Sequence, residues 1–187
     1  MKYKYFFILL IYSLFFIPIK LLSQDLGTIL NKLENSTFKA NLNIETKNNS
    51  INGKIYYQKG NLHFILNDGR IIASNFRNII VYDPETRVAG KQDKALGGGI
   101  SWILKFPYKI EGNKAIIEPE NQKPYKKIII SWNSDNFPQL IQFISDDNTI
   151  IYRFSNITYL NNIPSSLFSY KPPAGSRSVE NPLNIKK

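Results

Sequence analysis

From Thr37 onward apolar and polar residues alternate, with Phe38, Ala40, Leu42 and Ile44 interleaved with Lys39, Asn41, Asn43 and Glu45. A side-chain period of two belongs to a strand with one buried and one wetted face. Further candidate strands cover 51–58, 62–67, 70–75, 78–83, 87–91, 108–111, 114–119, 125–133, 139–145 and 149–158. Between them stand Asn67-Asp-Gly69, Asp83-Pro-Glu85, Glu111-Gly-Asn113 and Asp146-Asp-Asn148, residue types that favour chain reversal. Short connections make neighbouring strands antiparallel. One stretch ahead of them has helical spacing: Leu26, Ile29, Leu30 and Leu33, between Asp25 and Asn35. The pattern predicts a mainly β domain, a single large antiparallel sheet that curls into an unclosed barrel, with an N-terminal helix covering it.

Segment 92–104 breaks the rhythm. Gly97, Gly98 and Gly99 read as a hinge, and Ile100, Trp102, Ile103, Leu104 and Phe106 beyond them are too apolar for a solvated loop. A helical or loop lid over the sheet is expected here.

The first residues carry Lys2 and Lys4 ahead of an apolar run, Phe6 to Ile17, which ends at Pro18 and Lys20. This run is shorter than the roughly 20 residues a spanning helix needs. Residues 1–23 therefore read as a signal peptide cleaved after Ser23, and 24–187 as a single exported domain. The chain has no cysteine, so neither a disulfide framework nor a lipid-modified cysteine is available, and a soluble periplasmic protein is expected. Lys+Arg number 24 against 14 Asp+Glu, and the basic excess fits attraction to anionic lipid headgroups and acidic partners.

Enzymatic readings fail on inventory. His63 is the single histidine and there is no thiol, so a Ser-His or Cys-His nucleophile pair has little to draw on. Asp146 and Asp147 are turn formers rather than metal ligands or paired carboxylates. The glycine run lacks the Gly-Lys-Ser/Thr ending of a phosphate loop. Tyr56 and Tyr57 beside Lys54 and Lys59 read as the two faces of a strand, not as a nucleic-acid platform. No enzyme, cofactor, metal or nucleic-acid partner is expected, and the monomer is the expected state.

The order helix, strand, Gly53-Lys-Ile-Tyr-Tyr-Gln-Lys-Gly-Asn-Leu62, then Val81-Tyr-Asp-Pro84, resembles the LolA-type lipoprotein carriers. So do Arg153-Phe-Ser-Asn-Ile157, Ile163-Pro-Ser-Ser-Leu-Phe168 and Tyr170-Lys-Pro-Pro-Ala-Gly175, which resemble the family's closing strand and its terminal Phe, Pro-Pro and Gly positions. The resemblance covers residues 26 to 181. It implies an unclosed barrel whose apolar cavity receives the acyl chains of lipoproteins from an inner-membrane ABC transporter and yields them to an outer-membrane acceptor. A sensory module that binds lipids or lipoproteins on the same scaffold is the competing reading. The family's lid-latching arginine is replaced by Lys59, followed by Gly60, with Ile65 at the later aromatic position. Lysine keeps the charge but lacks the planar fork of donors.

Alternation assigns the inward face, which is either dry core or, as the resemblance implies, the lipid-binding lining. It takes Phe38, Leu42 and Ile44 from the first strand, Ile55 and Tyr57 from the second, and Ile65 from the third. Ile128, Ile130 and Trp132 follow from the strand at 125–133, and Ile150, Tyr152 and Phe154 from the last. Trp102, Ile103 and Leu104 are expected above this face, and Lys59 at its rim.

Overall fold

The computed structural model describes residues 25–93, 99–119 and 124–180. The expected signal peptide, residues 1–23, and Gly97 and Gly98 lie outside the described residues. Helix α1 (Leu26–Asn35) leads into β1 (Thr37–Thr46), β2 (Asn49–Gln58), β3 (Asn61–Leu66), β4 (Ile71–Ser74), β5 (Asn78–Asp83) and β6 (Val88–Asp93). A 3-10 helix (Ile100–Lys105) comes next. After it come β7 (Tyr108–Glu111), β8 (Lys114–Ile117), β9 (Lys127–Trp132), β10 (Pro138–Ile144), β11 (Thr149–Tyr159), α2 (Ser165–Phe168) and β12 (Arg177–Glu180).

The twelve strands among the described residues form one sheet in the order β12-β6-β5-β4-β3-β2-β1-β11-β10-β9-β8-β7. The terminal strands β12 and β7 do not pair, so the barrel is unclosed. Pairing is antiparallel except between β12 and β6, which run parallel. The sequence pattern gives no sign of β12: Arg177, Ser178 and Glu180 leave Val179 as its one apolar residue.

The sheet is zipped at its middle by β1 and β11, in a register that sets Leu42 opposite Phe154 and Ile44 opposite Tyr152. Between Lys39 and Asn41 the register shifts, and Asn156 on β11 takes a φ of 52°. One extra residue is accommodated there as a bulge, which bends the strand and resets its alternation. Consequently Phe154 and then Ile157 pack inward, and Tyr159 meets the Phe137 ring at 6.0 Å.

Curling gives the sheet a concave face with two joined apolar clusters. Over β8–β10, Leu26, Ile29 and Leu30 of α1 pack with Ile103 onto Ala115, Ile117, Ile128, Ile130, Trp132 and Ile141. Over β1–β3 the cluster is Phe38, Ala40, Leu42, Ile55, Phe64, Leu66 and Phe137. Leu33, Tyr152 and Phe154 belong to both. Each fully buried Leu, Ile or Phe side chain contributes about 1.5–3 kcal/mol relative to exposure, so the helix is held by its face rather than by its ends.

The convex face is covered only in part. The stretch from Ile163 to Tyr170 crosses it, with Ile163 and Phe168 buried and α2 lying over β3 and β4. Beneath it His63 is buried, and its Nδ1–H donates to the Leu167 carbonyl oxygen at 2.7 Å. A carbonyl can only accept, so this nitrogen carries the proton. Tyr170 stacks at 6.0 Å from His63 and 5.9 Å from Tyr82.

Candidate functional site

The concave trough and the segment that covers it form the candidate site. Register settles which side chains line it. Ala40, Ile55, Phe64, Ile72 and Val81 lie in one row across β1 to β5, each opposite the next. Tyr57, Leu62, Ser74 and Ile79 form a parallel row. Ile44, Tyr152, Ile141, Ile130 and Ala115 continue the surface across the other half.

Of the residues expected on this face, Phe38, Leu42, Ile44, Ile55, Tyr57, Ile128, Ile130, Trp132, Tyr152 and Phe154 are brought together in the two clusters. Ile150 lies opposite Phe143 on the same face, half-buried and outside both clusters. Ile65 is on the wrong side: it pairs with Lys54 and Ile71 on the convex face, while Phe64 and Leu66 point inward. The run from Leu62 to Leu66 is buried on alternate sides by different partners, so its sequence does not alternate cleanly. Leu62, Phe64, Leu66, Ile72, Ile79, Val81 and Ile141 are among the lining residues that sequence alternation left out.

The lid also differs from its expected form. Ile103 is 0% exposed and plugs the trough beside α1, with Ile100 and Phe106 half-buried around it. Trp102 and Leu104, each 38% exposed, face outward rather than down onto the sheet. A 3-10 helix has three residues per turn, so positions 100, 103 and 106 share one face and 102 and 104 cannot join them.

The latch is a carboxylate. Glu34 accepts a hydrogen bond from the Ser101 backbone N–H at 2.9 Å and one from its hydroxyl at 2.7 Å, with Glu34 near the C-terminal end of α1. A β-carbon at Gly99 would collide with the same carboxylate. Tyr57 donates its hydroxyl proton to the Glu34 carbonyl oxygen at 3.1 Å and accepts from the Gly60 N–H. Burial raises the Tyr57 pKa, so the phenol stays a donor. Lys59 is exposed in the β2–β3 turn, with a φ of 47°, and the lid contact passes instead through Tyr57 and Glu34. Lys32 adds an anchor, donating to the Asp135 carbonyl oxygen at the β9–β10 hairpin. None of these pairings carries a sequence signal, because Glu34 and Ser101 are 67 positions apart.

In this closed arrangement the half of the trough under α1 is dry core, with Ile128 and Ile130 at 0% exposure and Trp132 at 1%. The half over β3 to β5 is looser: Leu62, Ile72, Ile79 and Val81 are half-buried. Two grooves lie on the convex face. One, of about 360 Å³, is lined by polar groups including Asn41, Asn52, Lys54 and Asn67. The other, of about 480 Å³, lies along Tyr108, Lys109, Glu118 and Lys127. Neither has the apolar walls an alkyl chain needs. Among the described residues there is no group of three or more His, Cys, Asp or Glu side chains able to hold a metal, and no helix long and apolar enough to cross a membrane.

No protein-family model and no curated protein matches the chain. Solved structures do. An uncharacterized conserved protein from Thermus thermophilus superposes with a TM-score of 0.58 at 9% identity, covering 81% of this chain and 94% of that one. A LolA superfamily protein from Nitrosomonas europaea gives 0.43 at 12% identity, over 79% of this chain and 97% of that one. The MucA/MucB complex of Pseudomonas aeruginosa gives 0.42 at 11% identity, over 74% and 58%. The first likeness establishes a shared fold, and at this identity nothing of activity.

Proposed function

We propose that this chain is a periplasmic carrier of the LolA type, which shelters the acyl chains of lipoproteins in the concave trough. The observation that carries this reading is a one-sided apolar trough whose cover is held by a polar latch. Ile103 enters the trough from a short helix that Glu34 grips at Ser101. Moving that plug would uncover the part of the trough over β8–β10 that it fills.

The energetics require such a device. Each buried CH₂ is worth about 0.8 kcal/mol, so an alkyl chain of about 16 carbons in water costs on the order of 10 kcal/mol. A permanently open trough would expose comparable apolar surface of its own. Closing it with a helix and a plug keeps the empty protein stable, and exchanging plug for acyl chain leaves the net gain small enough for release. Under this reading the donor is an inner-membrane ABC transporter, the recipient an outer-membrane acceptor, and residues 1–23 are the export signal.

A diacylated lipopeptide carrying a photoreactive group in its acyl chain tests the reading. Crosslinks to β3–β5 residues of the concave face, lost in Val81→Glu and retained in Ile80→Glu, are expected, because neighbouring positions of a strand face opposite sides. Equal labelling of both faces, or no labelling of a folded protein, would overturn it.

A further inference from the structure

We propose that the outward face of the lid is a docking surface for an anionic phospholipid bilayer. The lid is two-sided: Ile100, Ile103 and Phe106 pack onto the core, while Trp102 and Leu104 stand out at 38% exposure. Tyr108, just beyond, is 37% exposed. An indole and an isobutyl group held in water at adjacent points of a short helix are costly unless something covers them part of the time. Trp102 is held in place by the Phe106 ring, edge-on at 5.9 Å and 87°.

The composition of the strip selects its occupant. Lys105 and Lys109 are exposed, and no acidic residue occurs from Ile100 to Ile110. Of the carboxylates that touch the strip, Glu34 is engaged by Ser101 and Asp25 accepts the Tyr108 hydroxyl proton at 2.9 Å. Trp and Tyr settle at headgroup depth, Leu reaches the acyl boundary, and lysines meet lipid phosphates. A protein partner is the poorer fit, since the cores of protein interfaces are depleted in lysine. The chain has 24 Lys+Arg against 14 Asp+Glu, still 21 against 14 once Lys2, Lys4 and Lys20 of the expected signal peptide are set aside, and this excess adds long-range attraction of the same sign. The inference concerns the lid's outer side and stands whether or not the trough takes acyl chains.

The whole chain supplies its own probe. It has two tryptophans, and Trp132 is 1% exposed, so a change of emission on adding vesicles reports Trp102. With vesicles of phosphatidylcholine and phosphatidylglycerol, containing no lipoprotein, a blue shift and co-flotation are expected. Pure phosphatidylcholine should give neither. Lys105→Gln should weaken partition about fivefold, in keeping with one basic residue at an anionic surface. Trp102→Ser with Leu104→Ser should abolish it while leaving the melting curve unchanged, since both side chains are outside the core. Phe76→Ser, at the β4–β5 hairpin tip where Phe76 is 68% exposed, should bind as the parent does. Val81→Glu, which blocks the trough, should also still float, separating this surface from the carrier reading. Absence of vesicle binding, or undiminished binding by the Trp102/Leu104 variant, would overturn the inference, as would loss in the Phe76 variant alone.

Discussion

Glu34 and Ser101 form a double hydrogen bond in which one carboxylate serves both the backbone N–H and the hydroxyl of the same residue, at 2.9 and 2.7 Å. The pair joins the end of the leading helix to the start of the lid. Both ends of the contact are polar, so it can be exchanged for water at modest cost, whereas Ile103 beside it cannot.

Glu34→Ala should therefore loosen the lid without unfolding the sheet. A hydrogen bond to a charged group contributes about 1.5–3 kcal/mol, and removal of its acceptor should raise amide exchange at 100–106 by one to two orders of magnitude. Lys59→Ala, in an exposed turn, should leave that exchange unchanged. Hydrogen exchange followed by mass spectrometry distinguishes the two variants, and equal exchange in both would refute the latch.

The two sides of the sheet should differ in stability cost. Ile130 is fully buried beneath α1, and Ile130→Ala should destabilise by about 2–5 kcal/mol in chemical denaturation. Ile65 is half-buried on the convex face, and Ile65→Ala should cost clearly less. If Ile65 proved the more costly, the register assigned to β3 would be wrong.

Burial lowers the pKa of His63, opposed in part by its bond to Leu167. The unfolded chain, with a histidine pKa of about 6.5, then binds the proton more readily than the fold does. Stability contributed by the neutral ring is fully present above that value and is lost as pH falls through the lower, folded one. Urea midpoints should decline on acidification below about pH 6.5, and His63→Asn should flatten that part of the profile. A parent and variant with parallel profiles would remove His63 from the account.

Asn156 takes a left-handed φ of 52° at the β11 bulge. That region costs an ordinary L-residue roughly 1–2 kcal/mol, and a β-branched one more. Asn156→Val should lower the melting temperature, and Asn156→Gly should hold or raise it. The reverse order would show that the bulge is not the strained point.

Much of this was legible in the residues themselves, and the failures have physical causes. Period two located β1 and the concave residues of β9, because each has one wetted and one buried face. It failed at β3, where His63 is covered by the C-terminal segment and Phe64 by the trough, so both faces are dry and Ile65 could be placed on either. It failed at β12, whose parallel pairing with β6 is a backbone matter to which side chains contribute little. In the lid, the apolar cluster was readable, but the three-residue turn that sends Ile103 in and Trp102 out was not.

The pairing of β1 with β11, Phe38 opposite Tyr159, has a temporal side. As the chain leaves the ribosome, β1 finds one neighbour at once in β2, and must wait for nearly the whole chain before the other arrives. Contacts this distant in sequence make folding slow. Until β11 emerges the central seam stays open, and so does the trough it supports. Such a chain acquires its apolar hollow only after its last long strand has been made.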